Sequence, residues 1–191
     1  MRVFVGSLLD VPHQQACRAV TATLLTASGG RLRSIPPDTA HLTYAFLPAL
    51  PDADLPALQM AVATVVAATP PIDIQLGRPV VQYARDEARL VHLPLTIGGD
   101  AFAGMAWAIT EAIRAALPQA AVTATRSPHV TLARFGRGTR RRDAQCVEDV
   151  ITRDLDTWRM EARVTAVQVV ESQLAQAGAR YLVRATSRLG G

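Results

Sequence analysis

Apolar residues recur along this chain with two spacings, and the switch from one to the other marks out its elements. "RVFVG" at residues 2–6 reads as a first strand, rich in β-branched and aromatic side chains. Residues 12–27 carry helical spacing and stop near the Ser-Gly-Gly that follows. The turn-rich "SIPPDTA" leads rigidly into "HLTYAFL"; the proline pair disfavours helix, and the composition of the segment favours a strand. An Ala-rich helix then begins near Asp54 and Pro56 and ends before Pro70 and Pro71.

Two extended segments follow, "IDIQLGRPVVQY" and "RLVHLPLTI", joined by "ARDEA" in the manner of a hairpin. A third helix covers "GGDAFAGMAWAITEAIRAALP" and is closed by Pro118. After "TRSPHVTLARF" and the basic loop "GRGTRRR", a fourth helix is expected from about Arg142 to Trp158. "RVTAVQVVES" and "ARYLVRATS", split by the turn "LAQAGA", finish the chain as a second hairpin. The order is strand, helix, strand, helix, hairpin, then helix, strand, helix, hairpin, which is a weak internal repeat. Hairpins imply antiparallel pairing, so the expected class is α+β, with two similar lobes, rather than a doubly wound parallel sheet.

Length and composition narrow this picture. A chain of 191 residues fits one domain of two intimately packed lobes, here expected over residues 1–191, and buries roughly two-thirds of its unfolded surface. With 49% hydrophobic and 19% charged residues spread along the chain, a disordered polypeptide is excluded. The longest apolar stretches, near residues 55–68 and 101–117, are interrupted by Gln59, Thr64, Thr110, Glu111 and Arg114. Neither matches a membrane span of about 20 clean apolar residues, so no membrane partner is expected. The first ten residues lack the apolar region and cleavage site of a signal peptide, and a cytoplasmic location is the expectation.

Every one of the 20 basic residues is arginine, and the net charge is +4. That balance tolerates anionic partners such as phosphates or RNA but says nothing about chemistry. The basic loop at residues 137–142 is the one charge run, and a solvated loop is its plainest reading. Cys17 and Cys146 are far apart and lack zinc or disulfide spacing, so both read as buried or incidental thiols.

Chemistry concentrates in two similar phrases, "AHLTYAFL" and "PHVTLARF", which use two of the four histidines. Residues i and i+2 of a strand share a face, about 6.6–6.8 Å apart. His41 and Thr43 therefore project together, as do His129 and Thr131, while Leu42 and Val130 point into the core. Two lobes facing across a cleft would bring two imidazoles and two hydroxyls onto one small polar ligand. In-line displacement at phosphorus needs a base for the attacking oxygen and an acid for the departing one, and histidine serves either role near neutrality without metal. The threonine hydroxyls suit the non-bridging oxygens of a phosphodiester. A single His-x-Thr would more often be packing; two in equivalent places of a repeated order point to function. His13 and His92 have no Thr two residues on and read as surface or packing residues.

"HLTYAFL" and "HVTLARF", with "RVFVG" at the start and "VQVVESQLAQAGARYLV" near the end, resemble the two-histidine (2H) phosphoesterase superfamily, and more narrowly the LigT-like RNA 2′,3′-cyclic phosphodiesterases of the 2′–5′ RNA ligase family. The resemblance covers nearly the whole chain. It implies a bilobal fold, two pseudo-symmetric lobes of mainly antiparallel sheet with helices outside and a central cleft. It also implies a metal-independent enzyme without cofactors, expected to be a monomer, that opens a terminal 2′,3′-cyclic phosphate of RNA to a 2′-phosphate. His41 and His129 would be the acid/base pair, Thr43 and Thr131 phosphate ligands, and Arg134 a guanidinium that forks onto the phosphate. Phe4 is a candidate base-stacking surface. Tyr44 and Phe46 lie, by period-two counting, on the face opposite His41 and are expected in the core.

Other readings differ in substrate or class. The same site would suit a 2′–5′-linked oligonucleotide or a small cyclic nucleotide, and a non-catalytic module that recognises RNA phosphate ends would need the cleft but not the acid/base pair. A metallohydrolase has little support, since no carboxylates cluster with the histidines in ligand spacing.

Overall fold

The strands build two antiparallel sheets. In the computed structural model, which describes residues 1–36, 38–125, 127–175 and 178–190, one sheet has five strands. Their order is β11 (Gly178–Arg188), β10 (Ala166–Ala175), β1 (Val3–Leu8), β3 (His41–Leu47), β7 (Thr123–Ala124). The other runs β2 (Leu32–Ser34), β8 (His129–Phe135), β6 (Glu87–Ile97), β4 (Ile72–Leu76), β9 (Met160–Val164), with β5 (Val80–Ala84) also paired to β6. Four helices cover them: α1 (Val11–Ala27), α2 (Leu55–Ala67), α3 (Gly99–Ala116) and α4 (Arg141–Asp154). The expected α+β class and the antiparallel pairing are both present.

Each sheet has its own pair of helices. α2 and α3 pack together, α3 against β3 and α2 against β10 and β11, whereas α1 and α4 pack together over β2, β8, β5 and β6. Beneath the first pair Leu42, Tyr44, Leu47, Phe102, Ile109 and Ile113 are fully buried; beneath the second so are Leu24, Val130, Leu132 and Val147. Each such aliphatic or aromatic side chain contributes about 1.5–3 kcal/mol over its exposed state. Tyr44 stacks on Phe102 at 4.3 Å between ring centroids, and its hydroxyl is hydrogen-bonded to the Ser7 hydroxyl at 2.9 Å, which is how a core tyrosine satisfies its polar end.

The two lobes are not the two halves of the sequence. The hairpin after the first motif, β5–β6, belongs to the sheet of the second motif, and the last hairpin, β10–β11, belongs to the sheet of the first. Likewise α1 lies on the second sheet although it precedes the first motif. The segment read as one strand, "RVTAVQVVES", is two: β9 pairs with β4, and after Thr165 the chain crosses to β10 beside β1. "IDIQLGRPVVQY" is also two strands, β4 and β5, which pair with opposite ends of the long β6. The fourth helix ends at Asp154 rather than near Trp158, because Leu155 leaves helical geometry and Trp158 packs against the core from the following turn. The tip of the "LAQAGA" turn, residues 176–177, lies outside the described residues.

Both motif strands carry a bulge at the same place. On β3 the register with β1 shifts so that Gly6 faces Thr43 while Val5 faces Ala45. On β8 the register with β6 shifts so that His92 faces Thr131 while Val91 faces Ala133. One extra residue on each motif strand reverses its alternation. The burial patterns agree, with two consecutive buried residues at Tyr44–Ala45 and at Leu132–Ala133. Position five after each histidine, Phe46 in one strand and Arg134 in the other, is thereby returned to the histidine's own face. That corrects the expectation that Phe46 lies in the core. It opposes Phe4 across β1–β3 and is part-exposed, with the Arg2 guanidinium 4.8 Å from its ring centroid.

Candidate active site

Strands β3 and β8 lie in contact with each other, which brings the two motifs together. His41 and Thr43, and His129 and Thr131, occupy matching positions of the two strands and are all partly buried, while Leu42 and Val130 are fully buried. The expected division between cleft face and core face is therefore seen in both motifs.

The imidazoles are held in the same way. Nδ1 of His41 donates to the carbonyl of Thr39 at 2.6 Å, and Nδ1 of His129 donates to the carbonyl of Ser127 at 2.8 Å. A carbonyl oxygen only accepts, so each contact fixes the proton on Nδ1 and leaves Nε2 free for a ligand. Each acceptor lies two residues before its histidine, where the chain enters the strand.

His41 has an asymmetric setting. Burial lowers its pKa from the ordinary value; the hydrogen bond to Thr39 opposes this, and the nearby His129 and Arg134 lower it further. Its ring is clamped by two aromatics, Phe4 stacked at 4.4 Å and Tyr181 edge-on at 5.5 Å, and those two meet each other at 5.0 Å. Phe4 is only 5% exposed. Its ring face is occupied by His41, which leaves little surface for a nucleobase and corrects its expected role as a stacking platform. Tyr181 comes from β11, where it faces Ser172 of β10; burial raises its pKa, with Arg134 and Arg2 opposing.

His129 has a different neighbour. The ring of His92 lies 4.8 Å from it between centroids, inclined at 58°. Burial lowers the His92 pKa to about 4, and the proximity of His129 adds to the shift. Its buried Nδ1 has no hydrogen-bond partner among the described residues. His92 thus belongs to the cleft, not to a surface or a packing position as expected. It fills the place that Gly6 holds in the other lobe, each opposite a motif threonine.

Arg134 is exposed and, past the bulge, lies on the strand face that bears His129 and Thr131. His13 sits elsewhere: its Nδ1 contacts Asp10, the cap of α1, and its Nε2 donates to the carbonyl of Glu161 at 2.8 Å. Cys17 is buried, its pKa pushed up to about 11, and Cys146 is exposed on α4. Among the described residues no group of three His, Cys, Asp or Glu side chains is placed to hold a metal ion, and no helix is long and apolar enough to cross a membrane. Two site residues escape a reading of the motifs alone, His92 and Tyr181. The available signal is in "RLVHLPL" and "ARYLV", strands in which each stands out as a polar ring among aliphatics.

Comparison with known proteins bears on the family and the fold. The sequence model of the 2′-5′ RNA ligase superfamily matches residues 12–176. The crystal structure of TT0787 of Thermus thermophilus superposes with a TM-score of 0.78 at 19% identity, over 100% of this chain and 99% of that one. The apo form of E. coli LigT gives 0.74 at 17% identity, over 100% and 98%. E. coli LigT complexed with 3′-AMP gives 0.71 at 18% identity, over 98% and 97%. No curated protein sequence matches the chain. At these identities the structural likeness establishes the bilobal fold and nothing finer.

Proposed function

Since this chain belongs to the 2′-5′ RNA ligase superfamily, we propose that it is a metal-independent phosphodiesterase that hydrolyses a terminal 2′,3′-cyclic phosphate of RNA to a 2′-phosphate. The observation that carries the reading is the paired tethering of His41 and His129. Each Nδ1 is committed to a backbone carbonyl, which leaves two Nε2 atoms to serve one phosphate. One accepts a proton from water as its oxygen attacks phosphorus; the P–O3′ bond breaks, and the other gives a proton to the departing O3′. A 2′-phosphomonoester and a free 3′-hydroxyl result, with the two histidines in exchanged protonation states. In the reverse direction their roles swap, so the pair is assigned as a unit.

Thr43 and Thr131 donate hydrogen bonds to the non-bridging oxygens, and Arg134 balances the charge that builds on them. Phe4 and Tyr181 act through His41: they fix the plane of its ring and keep water from its flanks. The likeness to a LigT structure complexed with 3′-AMP supports a nucleotide ligand.

The test is incubation of the purified protein, with chelator present, with an RNA ending in a 2′,3′-cyclic phosphate, beside His41→Ala and His129→Ala. Wild type releases a 2′-phosphate, and each variant loses about 10²–10⁴ in rate. Folded wild-type protein that leaves this end intact, or variants as active as wild type, would overturn the reading.

A further inference from the structure

Strands β2 and β8 set two arginines directly opposite one another. In their antiparallel register Leu32 faces Phe135 and Arg33 faces Arg134. Leu32 and Phe135 are buried, so Arg33 and Arg134 project from the other side of the sheet. Because of the bulge at Leu132–Ala133, that side is the one bearing His129 and Thr131.

Directly opposed residues of an antiparallel pair have Cβ atoms about 4.5–5.5 Å apart, and like charges in those positions repel. Some of the chain's other exposed arginines are paired, Arg18 with Asp38, Arg78 with Asp156, Arg163 with Asp73 and Arg184 with Glu171. Among the described residues neither Arg33 nor Arg134 forms an ion pair. Two adjacent guanidiniums without a carboxylate, on the cleft face of a sheet edge, form a site whose natural counter-charge is an anion from outside the chain.

The opposite lobe supports a division of labour. Phe46 holds the position equivalent to Arg134, with the Arg2 guanidinium over its ring, and Tyr181 lies edge-on to His41. The first wall carries aromatic rings and a single arginine, while the second carries the Arg33–Arg134 pair and extends past the reacting phosphate to the edge strand β2.

We propose that Arg33, with Arg134, forms a second phosphate subsite, which takes the phosphodiester joining the terminal nucleotide of a single-stranded RNA to its neighbour. This rests on the hydrolase reading above and makes the oligonucleotide end, rather than the free cyclic mononucleotide, the preferred substrate. Arg134 serves the reacting phosphate and borders the second; Arg33 serves the second alone. Guanidinium suits the role because it forks onto two phosphate oxygens and stays charged.

The experiment compares a nucleoside 2′,3′-cyclic phosphate with a trinucleotide ending in the same group, using wild type, Arg33→Gln and Arg33→Lys. The ratio of kcat/KM for trinucleotide over mononucleotide falls about tenfold in Arg33→Gln, as expected for loss of one charged hydrogen bond, and is partly regained in Arg33→Lys. The salt slope of binding to the trinucleotide 2′-phosphate drops by about 0.7, one single-strand phosphate contact. An unchanged ratio, or an equal loss on both substrates, overturns the subsite. If wild type turns over neither cyclic substrate, the hydrolase reading fails on its own. The subsite is then decided by binding: Arg33→Gln must weaken the trinucleotide 2′-phosphate more than the nucleoside 2′-phosphate, and equal effects on both overturn it.

Discussion

The ring of Phe4 stacks on the imidazole of His41, 4.4 Å between centroids and 23° from parallel, so a core residue of β1 sets the plane of a site residue on β3. Such a pair is worth about 0.5–1.5 kcal/mol beyond its buried area. In Phe4→Leu the ring plane is lost while most of the apolar volume remains. In the proposed reaction Nε2 would then be held less firmly toward the phosphate, and misplacement by about 1 Å costs on the order of 10²-fold in rate. The expected signature is a fall in kcat with KM little changed, and steady-state kinetics on an RNA with a cyclic end will read it. A rise in KM at constant kcat would instead return Phe4 to the role of a base contact.

That stack requires the strands to come close, and Gly6 is where they do. A Cβ at Gly6 would lie 2.5 Å from the carbonyl oxygen of Leu42 and 3.2 Å from the Phe4 ring. The first contact is with backbone, which has nowhere to go inside a paired sheet. Gly6→Ala is therefore expected to lose about 1–3 kcal/mol through overpacking. Urea unfolding of wild type and variant checks this. Equal midpoints would mean that β1 and β3 tolerate wider spacing.

The motif strands are legible in the sequence because their signals are local. His, Thr and the aliphatics between them alternate with period two, and the phrase occurs twice. The bulges are not legible by the same counting, since each inserts one residue and reverses the alternation after Tyr44 and after Leu132. Phe46 departs from its expected face for that reason, and Arg134 reaches the cleft only because of it. His92 and Tyr181 come from β6 and β11, and their place beside His129 and His41 depends on pairings between strands remote in sequence, β6 with β8 and the last hairpin with β1 and so with β3. The exchange of hairpins between lobes has the same origin. "RVTAVQVVES" reads as one strand by its β-branched composition, and the crossing at Thr165 emerges when β9 and β10 find partners in different sheets.

The matched registers of Thr43 and Thr131 predict matched consequences. Each lies two residues after its histidine and is partly buried on the same face. Thr→Val keeps the shape and removes one hydroxyl donor. Loss of a preorganised donor to developing charge costs about 10²–10³ in kcat. Thr43→Val and Thr131→Val should show losses of that order, with unfolding midpoints near wild type. If one substitution were silent, the two lobes would not share the phosphate, and the pseudo-symmetric reading of the site would fail.

His92 makes stability depend on pH in a definite direction. In the unfolded chain its pKa is near 6.5; in the fold, burial and the neighbouring His129 bring it to about 4. The unfolded state therefore binds more protons between about pH 6.5 and pH 4, and the linkage relation makes stability fall as pH falls through that window. Above it, the imidazole is neutral in both states and contributes nothing that varies with pH. His41 is also displaced downward by burial, so it acts in the same sense. His92→Phe removes one of these two contributions along with the unpartnered Nδ1, whose burial costs about 1–3 kcal/mol. The variant should be more stable than wild type at pH 8 and should exceed it by a larger margin at pH 5, as measured by urea unfolding at both values. An advantage that shrinks on acidification would mean that His92 is protonated in the native protein, with the wrong sign for an imidazole buried against His129.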